Sequence, residues 1–288
     1  MANPAEFEPG SFHAERQERD MKAAGVKEVR GITLLEMLVT VGILAVLAAL
    51  LLPAVGRVRE RAARVACLNC LRQLQLGWHM YAQDHLGALV SNLALHTNGA
   101  WRSAPDSWTG LSSAPHDATG QNIAGGALCR LGYAANVQLF RCPADQSTVR
   151  DLRGQDLGLP RTRSYGMNGN VGGRTNEAQA TVNRLYQIRN PSRLFVLIDE
   201  HAESIDDGHF LVWSAPDERW VNLPADRHSR GCNLSFADGH AEHWRWQAPK
   251  TFAPKTSYWK KASNLADLED LRKLQANTLS HVPYSYDR

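Results

Sequence analysis

The sequence contains no internal repeat, no Gly-rich phosphate loop ending in Lys-Ser or Lys-Thr, and no pair of Cys-x-x-Cys stretches at zinc-finger spacing. Nucleotide-binding and finger-type readings therefore have no motif to stand on. A Gly-x-Ser-x-Gly elbow is missing too, so no sharp strand-to-helix turn presents a nucleophilic serine. Charge of one sign is also scarce. The formal net charge is +3, with Lys and Arg spread among nearly as many acids, which leaves no basic footprint for nucleic acid. With 288 residues, 43% of them hydrophobic, the chain suits one large domain or two small ones with a packed core.

What the chain has is one long apolar run. From Ile32 to Gly56 the only charge is Glu36. As a helix that run would span roughly 37 Å, against about 30 Å of bilayer core, and so predicts a membrane span. A cleaved secretory signal fits less well, because some thirty residues precede the run, the run is long, and no Ala-x-Ala-like site follows before the cationic segment Arg57 to Arg64. Charge does not orient the span. Arg16, Arg19, Lys22, Lys27 and Arg30 precede it, while Arg57, Arg59, Arg61, Arg64 and Arg72 follow it. Glu36 is costly in hydrocarbon, which calls for a partner.

The stretch Gly31-Ile32-Thr33-Leu34-Leu35-Glu36 resembles the prepilin signature. In that family a dedicated peptidase cuts after the Gly and the new N-terminus is methylated, so the resemblance implies processing between Gly31 and Ile32. Glu36 becomes the fifth mature residue, which in pilins and pseudopilins is thought to meet the N-terminal amine of a neighbouring subunit. Pro53 falls where many type IV pilins carry a proline that relaxes the helix. The sequence departs from the pattern in having Ile32 in place of the usual Phe, and in its long leader, 1–31, whose start is Met1 or Met21.

Beyond the run, Cys67, Cys70, Leu71, Leu74, Trp78 and Tyr81 share one helical face, with Arg57, Arg61, Arg64, Arg72 and Gln75 to one side. The helix is expected to reach about Asp84 and to stop at Leu86-Gly87. Residues 91–126 read as surface loops, with turn signals at Asn98-Gly99 and Gly125-Gly126. Strands are expected over Gln138 to Arg141, Leu194 to Asp199, His209 to Trp213, Asn233 to Phe236 and His240 to Trp246. The last two would form a hairpin, since Asp238-Gly239 is a strong turn signal. Leu265, Leu268, Leu271 and Leu274 predict a short amphipathic helix. The organisation expected is α+β and pilin-like: a leader at 1–31, a transmembrane helix at 32–56, its extension at 57–86, and a globular domain at 87–288 with a small antiparallel sheet and a hairpin at 228–246.

A second resemblance spans most of the chain. In RHSRGCNLSFADGHAEHW, His228 is followed by nine residues and then Asp238-Gly239. This looks like the C-terminal motif of a large group of prepilin-like proteins abundant in Planctomycetes and Verrucomicrobia. CLNCLRQLQLGWHMYAQD after the span, FRCPAD at 140–145, SYGMN at 164–168 and PSRLFVLIDE are similar to other stretches of that group. The five cysteines permit two disulfides and one thiol in an oxidising compartment, and their spacing leaves the connectivity open. The resemblance implies a Cys67–Cys142 bridge, with Cys70, Cys129 and Cys232 left unpaired.

No cofactor is required by these motifs. His228, Asp238 and His240 are candidate metal ligands, with Glu242 beside them and Asp199, Glu200 and His201 on another strand end as further donors, although the spacing matches no zinc signature. Asp238 equally serves by shaping the turn, and His228 by bonding nearby backbone. Several pseudopilins hold calcium in a C-terminal loop, so calcium is the cation that the resemblance admits. The function implied is a non-enzymatic pilin-like or pseudopilin-like subunit of a type II secretion or type IV pilus-like assembly. Its partners would be a prepilin peptidase, like subunits and the membrane, with no nucleic acid. It would cross the inner membrane once, with its N-terminus cytoplasmic and its C-terminal domain periplasmic or extracellular. Two other readings stay open. One is a membrane-tethered binding module that offers Trp101, Trp108, Trp213, Trp220, Trp244 and Trp246 to a carbohydrate or protein; the other is a metal-dependent periplasmic enzyme.

Overall fold

The computed structural model describes residues 31–97, 100–111, 118–151, 153–173, 181–251 and 260–279. The leader before Gly31, both candidate starts and the Asn98-Gly99 turn lie outside the described residues. Two compact units divide the chain, one ending at Ala54 and the other beginning at Val55. The architecture is α+β: one long apolar N-terminal helix and a sheet-rich domain.

Helix α1 runs Leu34–Asp84 and holds Pro53 in its interior. Its N-terminal part has the length and composition to cross a membrane, and none of its most apolar stretch is buried. The later turns bury one stripe, including Cys67, Leu71, Leu74, Trp78 and Ala82, as the 3.6-residue period predicts. Gln75 departs from expectation. It is fully buried rather than lateral, and its Oε1 accepts a bond from Ser235 Oγ at 2.8 Å, which satisfies the amide oxygen inside the core. The helix closes where expected: Leu86 and Gly87 take φ of 54° and 81°, and Gly87 N donates to Ala82 O.

The main sheet has five strands, β5 (Tyr165–Asn168), β6 (Phe195–Asp199), β7 (His209–Phe210), β9 (Gly231–Phe236) and β10 (Ala241–Arg245), in the order β10-β9-β6-β5-β7. Three of its pairings are antiparallel; β5 and β7 run parallel. Small two-stranded sheets pair β1 (Ala94–Thr97) with β2 (Ala100–Ser103), β3 (Thr148–Arg150) with β4 (Asp156–Pro160), and β8 (Arg219–Trp220) with β11 (Lys260–Lys261). The β9–β10 hairpin is the one predicted. Gly239 turns it with φ of 99°, a value that its missing Cβ permits.

Three expectations need correction. Residues 91–126 hold more regular structure than the little expected: β1 and β2 pair within them and the short helix α2 (Gln121–Gly125) forms, with α3 (Ala127–Arg130) just beyond. Gln138 to Arg141 is not a strand: Val137–Phe140 is a 3₁₀ turn whose bonds are local, from Leu139 N to Asn136 O and Arg141 N to Gln138 O, and which stacks Phe140 on Trp108. The strand expected at His209 to Trp213 stops at Phe210, because Leu211 N donates to the side chain of Asn222. Helix α4 (Leu265–Gln275) forms as expected, capped by Asn264, and buries Leu271 and Leu274 against a core containing Ile198, Phe210, Leu234 and Phe236. A second core gathers the buried stripe of α1 with Tyr165, Met167, Val196 and Leu197.

Candidate functional site

Four donors meet where α1 packs beside the sheet. Cys67 comes from the buried stripe of α1, Cys142 from the turn after the 3₁₀ segment, Asp199 from the end of β6, and His228 from the turn that enters β9. All four are fully buried, and their ligand atoms lie within 4.8 Å of one another. Cys142 Sγ is 3.1 Å from His228 Nε2, and Asp199 Oδ2 is 3.6 Å from the same nitrogen.

Local structure explains how each side chain is aimed. Cys142 N donates to Ser164 Oγ at 3.0 Å, and Asp145 N donates to Cys142 O, so the Cys-Pro-Ala-Asp turn is fixed from both ends. His228 N bonds to Gly231 O, and the intervening Ser229 and Arg230 both take left-handed φ, 51° and 61°. That tight reversal directs the chain into β9, where Gly231 lies so close to Trp244 that a Cβ would stand 2.1 Å from its carbonyl oxygen. Tyr165 OH donates to Cys67 Sγ at 3.3 Å.

Around the donors sits a buried charged shell. Arg227 Nη1 is 3.0 Å from both Asp199 Oδ1 and Asp145 Oδ2, and its Nη2 donates to Glu200 O at 2.9 Å. Ser164 Oγ donates to Asp145 Oδ2 at 2.6 Å. Burial pushes the Asp199 carboxyl up to about 7, with Arg227 opposing and Asp145 reinforcing the rise. Asp145 stays below the ordinary carboxylate range: burial would raise it, but Arg227 and the bonds from Ser164 and Ser147 outweigh that. Burial and the neighbouring Arg227 bring His228 down to about 4, so its imidazole is neutral near pH 7. Cys67 is held well above the usual thiol range, chiefly by burial. Asp199 Oδ2 has no hydrogen-bond partner although it is buried.

Against known protein families, curated proteins and solved structures, the chain finds no match. The site therefore rests on its own geometry.

The candidate ligands His228, Asp238 and His240 are not brought together as one group. Asp238 and His240 pair with each other on the exposed hairpin turn, where Asp238 also accepts from His240 N, so Asp238 does shape the turn. Glu242 bonds the indole of Trp244 instead. The ring of His228 meets side chains, not backbone. Cys67 and Cys142, the pair expected to bridge, are side by side as free thiols; Cys70, Cys129 and Cys232 are free as well. Gly31, Ile32 and Glu36 stand exposed at the start of the apolar run, and Pro53 lies within α1. Sequence reasoning missed Asp145, Ser164, Tyr165 and Arg227 as members of the site. A signal was present: CLNC, FRCPAD, SYGMN, PSRLFVLIDE and RHSRG each send at least one residue into this cluster.

Proposed function

We propose that the chain is a pilin-like or pseudopilin-like subunit, non-enzymatic, of a type II secretion or type IV pilus-like assembly. A prepilin peptidase cuts between Gly31 and Ile32, the first part of α1 spans the inner membrane, and residues 87–288 stand in the periplasm or outside the cell. The N-terminus starts in the cytoplasm, and like subunits are the partners. One observation carries the reading: a single helix begins with an exposed apolar stretch at the Gly-Ile-Thr-Leu-Leu-Glu signature and ends in a stripe buried under a sheet.

The tethered binding module fares less well. Trp108, Trp220, Trp244 and Trp246 are buried and Trp213 is half-buried, which leaves Trp101 as the one exposed indole of the six. Mass spectrometry of the N-terminus from cells with active peptidase tests the proposal. A mature chain beginning at methylated Ile32 is expected, and an intact leader rejects it.

A further inference from the structure

We propose that Cys67, Cys142, Asp199 and His228 form a closed, tetrahedral structural site for a zinc ion, which ties α1 to the sheet of the same unit. The inference does not depend on the pilin-like reading. It follows from the donor set, the spacing and the charge balance.

Two thiolates, one imidazole and one carboxylate are the mixed sulfur, nitrogen and oxygen set that suits zinc. Calcium takes six to eight oxygen ligands, and these donors cannot supply them. Zinc bonds of about 2.0 to 2.3 Å give tetrahedron edges of roughly 3.3 to 3.8 Å. The observed separations of 3.1 Å for Cys142 Sγ to His228 Nε2 and 3.6 Å for Asp199 Oδ2 to that nitrogen already bracket most of this range. The remaining separations are all within 4.8 Å, so the donors close by up to about 1 Å on binding. All four ligands come from the protein and all are buried, so no position is left open for substrate, which marks a structural centre rather than a catalytic one.

A disulfide between the same two cysteines is the competing use of these sulfurs. It explains neither why an imidazole nitrogen is packed against Cys142 nor why the buried Asp199 carboxylate lies within 4.8 Å of both sulfurs. A cation explains both. Arg227 grips Asp199 by Oδ1 and leaves Oδ2 for the metal, while Asp145 offsets the charge of Arg227. Tyr165 donates to Cys67 Sγ, a bond that favours the thiolate. With Asp199 ionised, binding balances as one Zn²⁺ taken up and two thiol protons released, so the net charge of the buried cluster is unchanged. Cys142 and Asp145 also form part of the wall of a surface cleft of about 550 Å³.

The test uses the full chain in detergent. Purified under reducing conditions, it is expected to retain about one zinc per chain through gel filtration. Zinc should slow alkylation of Cys67 and Cys142 in the wild-type protein, and a chelator should abolish that protection. Cobalt titrated into the chelated protein should give a thiolate-to-cobalt charge-transfer band and the visible spectrum of a tetrahedral ion. The band should persist in Cys129→Ser and vanish in Cys142→Ser. Three results overturn the proposal: a Cys67–Cys142 disulfide in the protein as isolated from cells without reductant, the same alkylation rate with and without zinc, or an unchanged cobalt band in Cys142→Ser. The alkylation arm needs no variant, so a folding failure of Cys142→Ser leaves the proposal open to rejection.

Discussion

Thr33 and Glu36 close on each other at the start of α1: Glu36 Oε2 accepts from Thr33 N at 2.9 Å and Thr33 Oγ1 at 2.8 Å, and Glu36 N donates back to Thr33 Oγ1 at 3.2 Å. This is a capping box, in which the glutamate satisfies backbone that the first helical turn leaves unpaired. It gives Glu36 a local role besides the registration role implied by the prepilin resemblance. Glutamine separates the two, because it keeps the capping geometry and discards the charge. For Glu36→Gln we expect normal leader cleavage and membrane level but loss of cysteine crosslinks between neighbouring α1 helices, since an unpaired buried charge costs about 3 to 5 kcal/mol. Crosslinking equal to wild type would reject the registration role. Thr33→Ala should then be the damaging change, at about 0.5 to 2 kcal/mol of helix stability.

Lys250 is buried with its Nζ 2.8 Å from Asp267 Oδ1 and 2.7 Å from Asp270 Oδ2, between the rings of Trp220 and Trp246. The cluster ties α4 to the loop after β10. Lys250→Met strands two carboxylates and should cost about 3 to 5 kcal/mol, roughly 6 to 20 °C in the melting temperature of a domain this size. Replacing the trio together, with Asp267→Asn and Asp270→Asn added, should recover most of the loss, since removing the whole ion cluster leaves no orphan charge. Tryptophan fluorescence melts compare the two. A triple variant no more stable than Lys250→Met would show that packing of the lysine stem, not charge, dominates.

The elements read correctly from sequence are those whose signal is local. The apolar run and stripe set α1, Asp238-Gly239 set the β9–β10 hairpin, and leucines at helical spacing set α4, of which Leu271 and Leu274 are buried while Leu265 remains exposed. Where tertiary partners decide, local pattern misleads. Gln75 looks like a surface residue until Ser235 meets it, and Val137–Phe140 looks like a strand but finds no strand to pair with. The cluster could not be read as a site for the same reason. Its donors lie on four segments far apart in the chain, so only the tertiary packing of α1, the turn after Phe140, the end of β6 and the turn into β9 brings them within reach.

Gly77 shows how closely α1 packs against the segment that follows α3. A Cβ at this position of α1 would stand 2.4 Å from the carbonyl oxygen of Tyr133. Gly to Ala in a helix normally gains about 1 kcal/mol, while forcing apart a packed backbone contact costs about 1 to 3 kcal/mol. The clash should win, and Gly77→Ala should melt below wild type. Gly56→Ala, in the same helix with nothing within 4 Å, should melt no lower than wild type. Equal melting temperatures for the two variants would rule out the Tyr133 contact as a constraint.

Asp207 carries the clearest pH signature away from the cluster. It is buried beside Arg163, accepts a bond from His209 N at 2.7 Å, and has a carboxyl raised to about 6 by burial, against the pull of that bond and of Arg163. An unfolded Asp titrates near 3.9, so between about pH 4 and 6 the folded chain holds the proton more tightly. Its contribution is therefore full below about pH 4 and is lost as pH rises through about 6. At about 1.36 kcal/mol per pKa unit, the ceiling is about 3 kcal/mol. Asp207→Asn keeps an acceptor for His209 N but does not titrate. The difference in melting temperature, wild type minus variant, should thus be most favourable to wild type at pH 4 and should shrink by pH 7. A difference that stays constant or grows across that interval would mean that Asp207 is ionised in the folded protein and that Arg163, not burial, governs it.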